Sequence, residues 1–200
     1  MSEVDTNSKN IRVGISARHV HLSQEHVNIL FGENYNLTKF KDLYQTGEYA
    51  SNEKVTVSTK DGKIANVRIL GPVRPESQVE LSKSDTRSLK VNPPVRNSGD
   101  LQDSAAVTLE GPNGTVELKQ GCIIATRHIH LSLEDADNFG IKNNEVVAVR
   151  VRGEKGGVMH NVYCKVKDSY MLEMHIDVDD ANAFLISNED VVEIVKNVAF

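Results

Sequence analysis

The stretches Arg18–Ser23, RHVHLS, and Arg127–Ser132, RHIHLS, write one hexapeptide twice in a chain of 200 residues. Side chains alternate across a strand, so His19 and His21 share one face with Val20 on the other, and His128 and His130 do the same around Ile129. Each copy ends on a serine placed to cap a helix. Ser23 precedes QEHVNILF, which stops at Gly32, and Ser132 precedes LEDADNF, which stops at Gly140. The predicted unit is a short strand that carries two imidazoles to the start of a short helix.

A weaker third copy follows. HLSLEDADNF (130–139) aligns with HIDVDDANAF (175–184), with Asp177 in place of the capping serine. The match continues as Ile141, Asn143, Val146 and Val147 face Ile186, Asn188, Val191 and Val192. Similarity sustained over such a length predicts a reused strand, cap and helix unit.

The rest of the chain reads mainly as strands. Alternating or β-branched runs lie at 11–17, 54–59, 63–70, 105–110, 115–126, 145–151 and 162–166, and Asp61-Gly62 and Asn113-Gly114 suit tight hairpins. Many short strands at even spacing point to barrels or a sandwich. The stretch from Lys90 to Asp103, with Pro93-Pro94 and NSGD, reads as a long loop joining two parts.

Composition sets outer limits. Two hundred residues suit one large domain or two small ones, and a hydrophobic content of 39% is enough for real cores. A net charge of −5 and a pI near 5.8 argue against a nucleic-acid partner. No apolar run reaches the roughly 20 residues of a membrane span, and MSEVDTNSKN has no apolar signal-peptide core, so a cytoplasmic location is expected. Cys122 and Cys164 sit in apolar, strand-like stretches without a CxxC spacing and are expected to be buried, reduced thiols. One segment is locally basic: Arg68, Arg74, Lys83, Arg87, Lys90 and Arg96 outnumber Glu76, Glu80 and Asp85, either as a solvated face or as a pocket for a small polyanion.

Two imidazoles on one strand face can bind one metal ion. His19, His21, His128, His130 and His175 all fall in the repeated units, whereas His26 and His160 do not. Each pair needs at least one more ligand to build an ordinary zinc site. His175 and Glu80, the latter in the alternating stretch QVELS, are the candidates, and spacing alone does not choose between them. The pattern predicts two metal sites, one per hexapeptide. Unpaired N–H groups at the adjoining helix starts favour an anion such as phosphate, which suits metal-assisted chemistry on a phosphorylated or carboxylated substrate.

Four blocks in this order, RHVHLS, GPVRPESQVELSKSD (71–85), PVRNSGD (94–100) and CIIATRHIHLS (122–132), resemble the phosphate propanoyltransferases, the phosphotransacylases of bacterial propanediol utilisation. The resemblance runs from about Ile11 to Val195. It implies an enzyme that interconverts acyl-CoA plus phosphate with acyl phosphate plus CoA. It also implies a mainly β fold of two β-barrels with short capping helices and an active site where they meet. One barrel is discontinuous, residues 8–17 plus 126–200, and the other spans 18–125 with a helical insert.

By the same resemblance, His19, His21 and Glu80 would hold one zinc together with the CoA sulfur, and His128, His130 and His175 a second. Arg74 would be the catalytic, phosphate-binding arginine, with Ser98 beside it. Ser16, Lys41, Arg68, Leu70, His175 and Asn182 would contact coenzyme A. Acyl-CoA and phosphate would be its small-molecule partners, with no nucleic acid or membrane, and a homo-oligomer, a dimer, is expected. Members housed in bacterial microcompartments carry an amphipathic N-terminal extension, and only about ten polar residues stand before the first strand here. A free cytoplasmic enzyme is therefore expected, with encapsulation through a partner as the alternative.

Two other readings fit some of the residues. His19-x-His21-x3-Glu25 and His128-x-His130-x3-Glu134 match the first metal motif of cupins, with Glu25 and Glu134 as ligands of an oxygenase or isomerase. A non-catalytic module with structural metals and a bound nucleotide or CoA is the third.

Overall fold

A computed structural model describes residues 10–195. In chain order its elements begin with β1 (Asn10–Ser16), β2 (His19–His21), α1 (Gln24–Phe31), β3 (Lys39–Asp42), β4 (Tyr49–Thr59), β5 (Gly62–Gly71) and β6 (Gln78–Glu80). Next come α2 (Lys83–Leu89), β7 (Val95–Arg96), β8 (Ala105–Glu110), β9 (Thr115–Ala125) and β10 (His128–Leu131). The last are α3 (Leu133–Phe139), β11 (Val146–Val151), β12 (Gly157–Val166), β13 (Glu173–Asp177), α4 (Val178–Phe184) and β14 (Val191–Val195). The fold is mainly β, as the spacing of strand signals predicts.

The chain divides into two compact units. The described residues up to Ser16 join those from Arg127 onward, and Ala17–Thr126 form the other. The barrel suggested for 8–17 thus begins two residues outside the described range, and residues 1–9 of the polar N-terminal stretch also lie outside it. In the first unit the strand order β1-β13-β10-β12-β11-β14 closes into a six-stranded barrel. In the second, β4-β5-β2-β6-β9-β8 also returns to its start, because β8 pairs with both β9 and β4; β3 and β7 are appended at β4 and β9. Closure leaves few unpaired strand edges, which lets short strands of modest hydrophobicity persist.

Both barrels use one pairing scheme. β2 runs parallel to β5 and antiparallel to β6, and β10 runs parallel to β12 and antiparallel to β13. β6 is parallel to β9 as β13 is parallel to β1. Matching the pairings in turn equates β2-α1-β4-β5-β6-α2-β8-β9 with β10-α3-β11-β12-β13-α4-β14-β1. The first strand of the chain therefore completes the barrel whose other strands come last.

The third copy of the unit is β13-α4, capped by Asp177, which accepts from the amides of Asp179 and Asp180 at 2.9 Å. The structure adds a fourth, β6-α2. Ser82 and Asp85 form the same reciprocal cap as Ser132 and Asp135, but KSDTRSL has too little apolar periodicity to announce a helix. Only Asp85, Thr86 and Leu89 of α2 are buried, while Lys83, Arg87 and Lys90 face solvent. That portion of the basic run is a solvated surface, and Arg68, Arg74 and Arg96 are half-buried.

Two local expectations change. The Lys90–Asp103 stretch joins α2 to β8 inside one unit, because the crossings between units lie at Ser16–Ala17 and Thr126–Arg127. In the β4–β5 hairpin Thr59 pairs with Gly62, so the two loop residues are Lys60 and Asp61. Gly62 is needed for close packing instead: a Cβ there would lie 1.9 Å from the Ser88 carbonyl oxygen at the end of α2.

Each barrel has its own core. Val20, Leu22, Val55, Val57, Ile69, Val79 and Leu109 fill one, and Ile129, Leu131, Val149, Met159, Met174 and Ile176 fill the other. Cys122 and Cys164 are free, fully buried members of these cores.

Candidate active site

Every position of the hexapeptide has a structural counterpart in both barrels. Val20 and Leu22, like Ile129 and Leu131, point into the core with no exposure. Ser23 and Ser132 cap α1 and α3. Arg18 donates to Asp85 at 2.7 Å, and Arg127 lies 3.2 Å from Asp180. Each arginine thereby ties its strand to the third residue of the helix that follows the antiparallel neighbour. The histidines alternate with the core residues and remain buried, from 4% exposed at His21 to 8% at His128 and His130.

Register decides what meets each histidine pair. His19 faces Glu80 across β2 and β6, and His128 faces His175 across β10 and β13. Glu80 and His175 are thus equivalent positions of the two barrels. His19, His21 and Glu80 bring one ligand atom each to within 4.8 Å of one another. His19 Nδ1 lies 2.8 Å from the Ala17 carbonyl, which can only accept, so Nδ1 donates there and Nε2 is the nitrogen turned to Glu80. That Nε2 stands 3.4 Å from Glu80 Oε2.

Burial, the neighbouring His19 and the Arg74 cation together hold His21 well below its ordinary pKa. A neutral His21 presents a free lone pair, and its buried Nδ1 has no hydrogen-bond partner among the described residues. An unpaired buried nitrogen beside a carboxylate and a second imidazole makes a group that could hold a metal ion.

Arg74 belongs to this same cluster. Its backbone N–H donates to the Leu22 carbonyl at 2.8 Å, which seats it at the end of β2. Its guanidinium donates to Ser98 Oγ at 3.1 Å and lies 3.7 Å from Glu48 Oε1. Gln78 donates to Ser98 Oγ at 2.9 Å and to Glu80, and its own carbonyl accepts from Gly99 N at 2.7 Å. Arg74, Ser98, Gln78 and Glu80 are therefore one hydrogen-bonded chain ending at the histidines. Gln78 and Glu48 carried no local signal of this role, because only the register of β6 and the path of the 97–99 loop bring them in.

In the other barrel the rings of His128, His130 and His175 lie with centroids 4.7 to 5.0 Å apart. Tyr170 stacks on His130 at 4.1 Å, a contact made by the loop before β13 and absent from any strand pattern. Glu173 Oε2 stands 3.0 Å from His175 Nε2.

The remaining site residues fall in two groups. Lys41 and Leu70 pair with Ala50 from opposite sides, on β3 and β5, while Arg68 pairs with His19. Its guanidinium lies over the Phe40 ring at 4.7 Å and donates to the Ser51 carbonyl. Ser16 pairs with Asp177, two residues beyond His175 on β13, and Asn182 is exposed on α4.

Glu25 and Glu134 lie exposed in the first turns of α1 and α3, while the histidines are buried, so the cupin ligand set does not form. The burial of Cys122 and Cys164 pushes each thiol up to about 12, which leaves neither as a nucleophile at neutral pH. Among the described residues no helix is long and apolar enough to cross a membrane.

A family model for phosphate propanoyltransferase matches residues 12–187. The phosphate propanoyltransferase of Lachnoclostridium phytofermentans is 50% identical over 186 residues, 92% of this chain and 87% of its own. That of Thermotoga maritima is 46% identical over 187 residues, 93% of this chain and 89% of its own. That of Rhodobacter capsulatus is 44% identical over 196 residues, 98% and 91% of the two chains. With a match over nearly the whole chain and a histidine–carboxylate group in place, the chain belongs to the phosphate propanoyltransferase family and is an acyltransferase.

Proposed function

We propose that the chain interconverts a short-chain acyl-CoA, propanoyl-CoA or acetyl-CoA, and phosphate with acyl phosphate and CoA by direct attack of phosphate on the thioester carbonyl. The carbonyl carbon gains the phosphate oxygen and loses the CoA sulfur, with no acyl group passing through the protein. The observation that carries this reading is the chain of contacts from Arg74 through Ser98 and Gln78 to Glu80, His19 and His21.

Arg74 offers a planar fork of donors to phosphate oxygens, with Ser98 accepting from one of its terminal nitrogens. Glu48, 3.7 Å from the guanidinium, and Gln78, bonded to both Ser98 and Glu80, join that fork to the histidine–carboxylate group. His19, His21 and Glu80 would hold one zinc ion and His128, His130 and His175 a second. Such ions stabilise a departing thiolate and the developing oxyanion. Lys41, Arg68 and Leu70 on one unit, and Ser16, His175 and Asn182 on the other, are the contacts assigned to coenzyme A. We assign the protein to the cytoplasm as a dimer, with lodging in a microcompartment through a partner as the alternative.

The test is phosphate-dependent release of CoA thiol from propanoyl-CoA, with zinc content measured on the same protein. Two zinc ions per chain and one fewer in His128→Ala, with turnover lost, are the expected results. Thiol release that ignores phosphate would end the proposal.

A further inference from the structure

Register across β2 and β6 sets His21 opposite Gln78 and His19 opposite Glu80, so these four side chains share one face of the sheet. Gln78 is almost wholly buried there, at 2% exposure. An amide in that position must have all its polar atoms engaged.

The neighbours of Gln78 fix which way its amide points. The Gly99 N–H can only donate, and it lies 2.7 Å from the Gln78 side-chain oxygen, so the NH2 group is the end turned to Ser98 and Glu80. Its two hydrogens are both spent, one on Ser98 Oγ at 2.9 Å and one on Glu80 Oε1. Glu80 therefore has Oε1 committed to the amide, and Oε2, 3.4 Å from His19 Nε2, is the oxygen left on the histidine side. Ser98 Oγ accepts from Gln78 and also from Arg74 at 3.1 Å. With both lone pairs used, the Ser98 proton must go to a third group, and an oxygen of a phosphate held by Arg74 is such a group.

We propose that Gln78 is a positioning residue that serves two places at once: it directs one oxygen of Glu80 to the metal held with His19 and His21, and it turns the Ser98 hydroxyl, beside Arg74, toward phosphate. An amide suits this place because one nitrogen supplies two hydrogens while the oxygen on its other side accepts from the 97–99 loop. A glutamate of the same shape would set a second carboxylate against Glu80. Hydrogen bonds that orient a metal ligand in this way contribute about 10- to 100-fold in metal affinity. The inference rests on the metal and phosphate roles proposed above for His19, His21, Glu80 and Arg74.

The experiment titrates metal-free wild type, Gln78→Met, Gln78→Asn, Ser98→Ala and His19→Ala with zinc, and follows thiol release at saturating zinc across phosphate and propanoyl-CoA series. Gln78→Met keeps the volume and removes the amide. It is expected to weaken, by about 10- to 100-fold, the zinc site that His19→Ala abolishes. At saturating zinc it is expected to raise the KM for phosphate by about 10-fold, the worth of one hydrogen bond to a charged group, and the KM for propanoyl-CoA by less. Gln78→Asn, with its amide one methylene short, should fall between, and carries the test if Gln78→Met does not fold. Ser98→Ala should raise the KM for phosphate and leave zinc affinity as in wild type. Wild-type zinc affinity in Gln78→Met would overturn the proposal, and so would a wild-type KM for phosphate. Equal rises in the two KM values would make Gln78 a packing residue only, and weakened zinc binding in Ser98→Ala would put the hydroxyl rather than Gln78 behind Glu80. If His19→Ala binds zinc as wild type does, the metal reading itself fails; if it loses the ion while Gln78→Met keeps it, only the role of Gln78 fails.

Discussion

Arg74→Ala separates phosphate binding from metal binding. The guanidinium is about one-third exposed; it donates to the Ser98 hydroxyl at 3.1 Å and makes a loose contact to Glu48 at 3.7 Å. The backbone bond from residue 74 to the Leu22 carbonyl survives the substitution. Its cost to the fold is therefore that of one partly solvated charged hydrogen bond, about 1 kcal/mol. The effect on catalysis is larger, because a preorganised donor aimed at charge that grows in the transition state contributes on the order of 3–4 kcal/mol. That corresponds to a fall of about 100- to 1,000-fold in kcat/KM for phosphate.

Metal content moves the other way or not at all. The Arg74 charge is one of the influences that lower the His21 pKa, after burial and His19. Removing it lets His21 rise toward its ordinary value, yet burial still keeps the ring neutral near pH 8. Arg74→Lys restores charge without the fork and should fall between Ala and wild type. The assay is initial-rate thiol release across a phosphate series, paired with zinc analysis. Wild-type phosphate dependence in Arg74→Ala, or loss of zinc from it, would refute the reasoning.

Other expectations follow from single contacts. Asp85→Ala removes both the return bond of the Ser82 cap, at 3.3 Å, and the partner of Arg18, so urea unfolding should report a loss of about 2 kcal/mol; a change below about 0.5 kcal/mol would deny the cap its role. The Ser77 hydroxyl lies against an imidazole, 2.6 Å from His26 Nδ1, and it also accepts from Ser23 N at 2.9 Å. Ser77→Ala should keep turnover within a few-fold, and a trapped acyl-serine in the wild type would sink direct attack. Both cysteines move from an ordinary 9.0 to about 12 in the fold, so the unfolded chain gives up thiol protons first and stability declines as pH rises from about 9 toward 12. A thiol reagent at pH 8 should find no reactive cysteine in the native protein and both after denaturation, and prompt native labelling would contradict their burial.

Local physics made much of this protein legible. Alternation on RHVHLS and RHIHLS separates ligand-type residues from core residues within three positions, and Ser23, Ser132 and Asp177 mark where helices begin because each satisfies amide groups in its own next turn. These relations span a few residues, so the chain announces them by itself. The α2 helix escaped because its support is Leu89 against the core and Arg18 from a distant strand, with little periodicity of its own. Glu80 and His175 could be suggested by resemblance but not ranked by spacing, since a ligand's partner is set by cross-strand register between segments far apart in the chain. The same holds for barrel closure, for the equivalence of β1 with β9, and for Gln78 against Glu80. Strand pairing is a relation between distant backbones, and only the folded chain brings those backbones side by side.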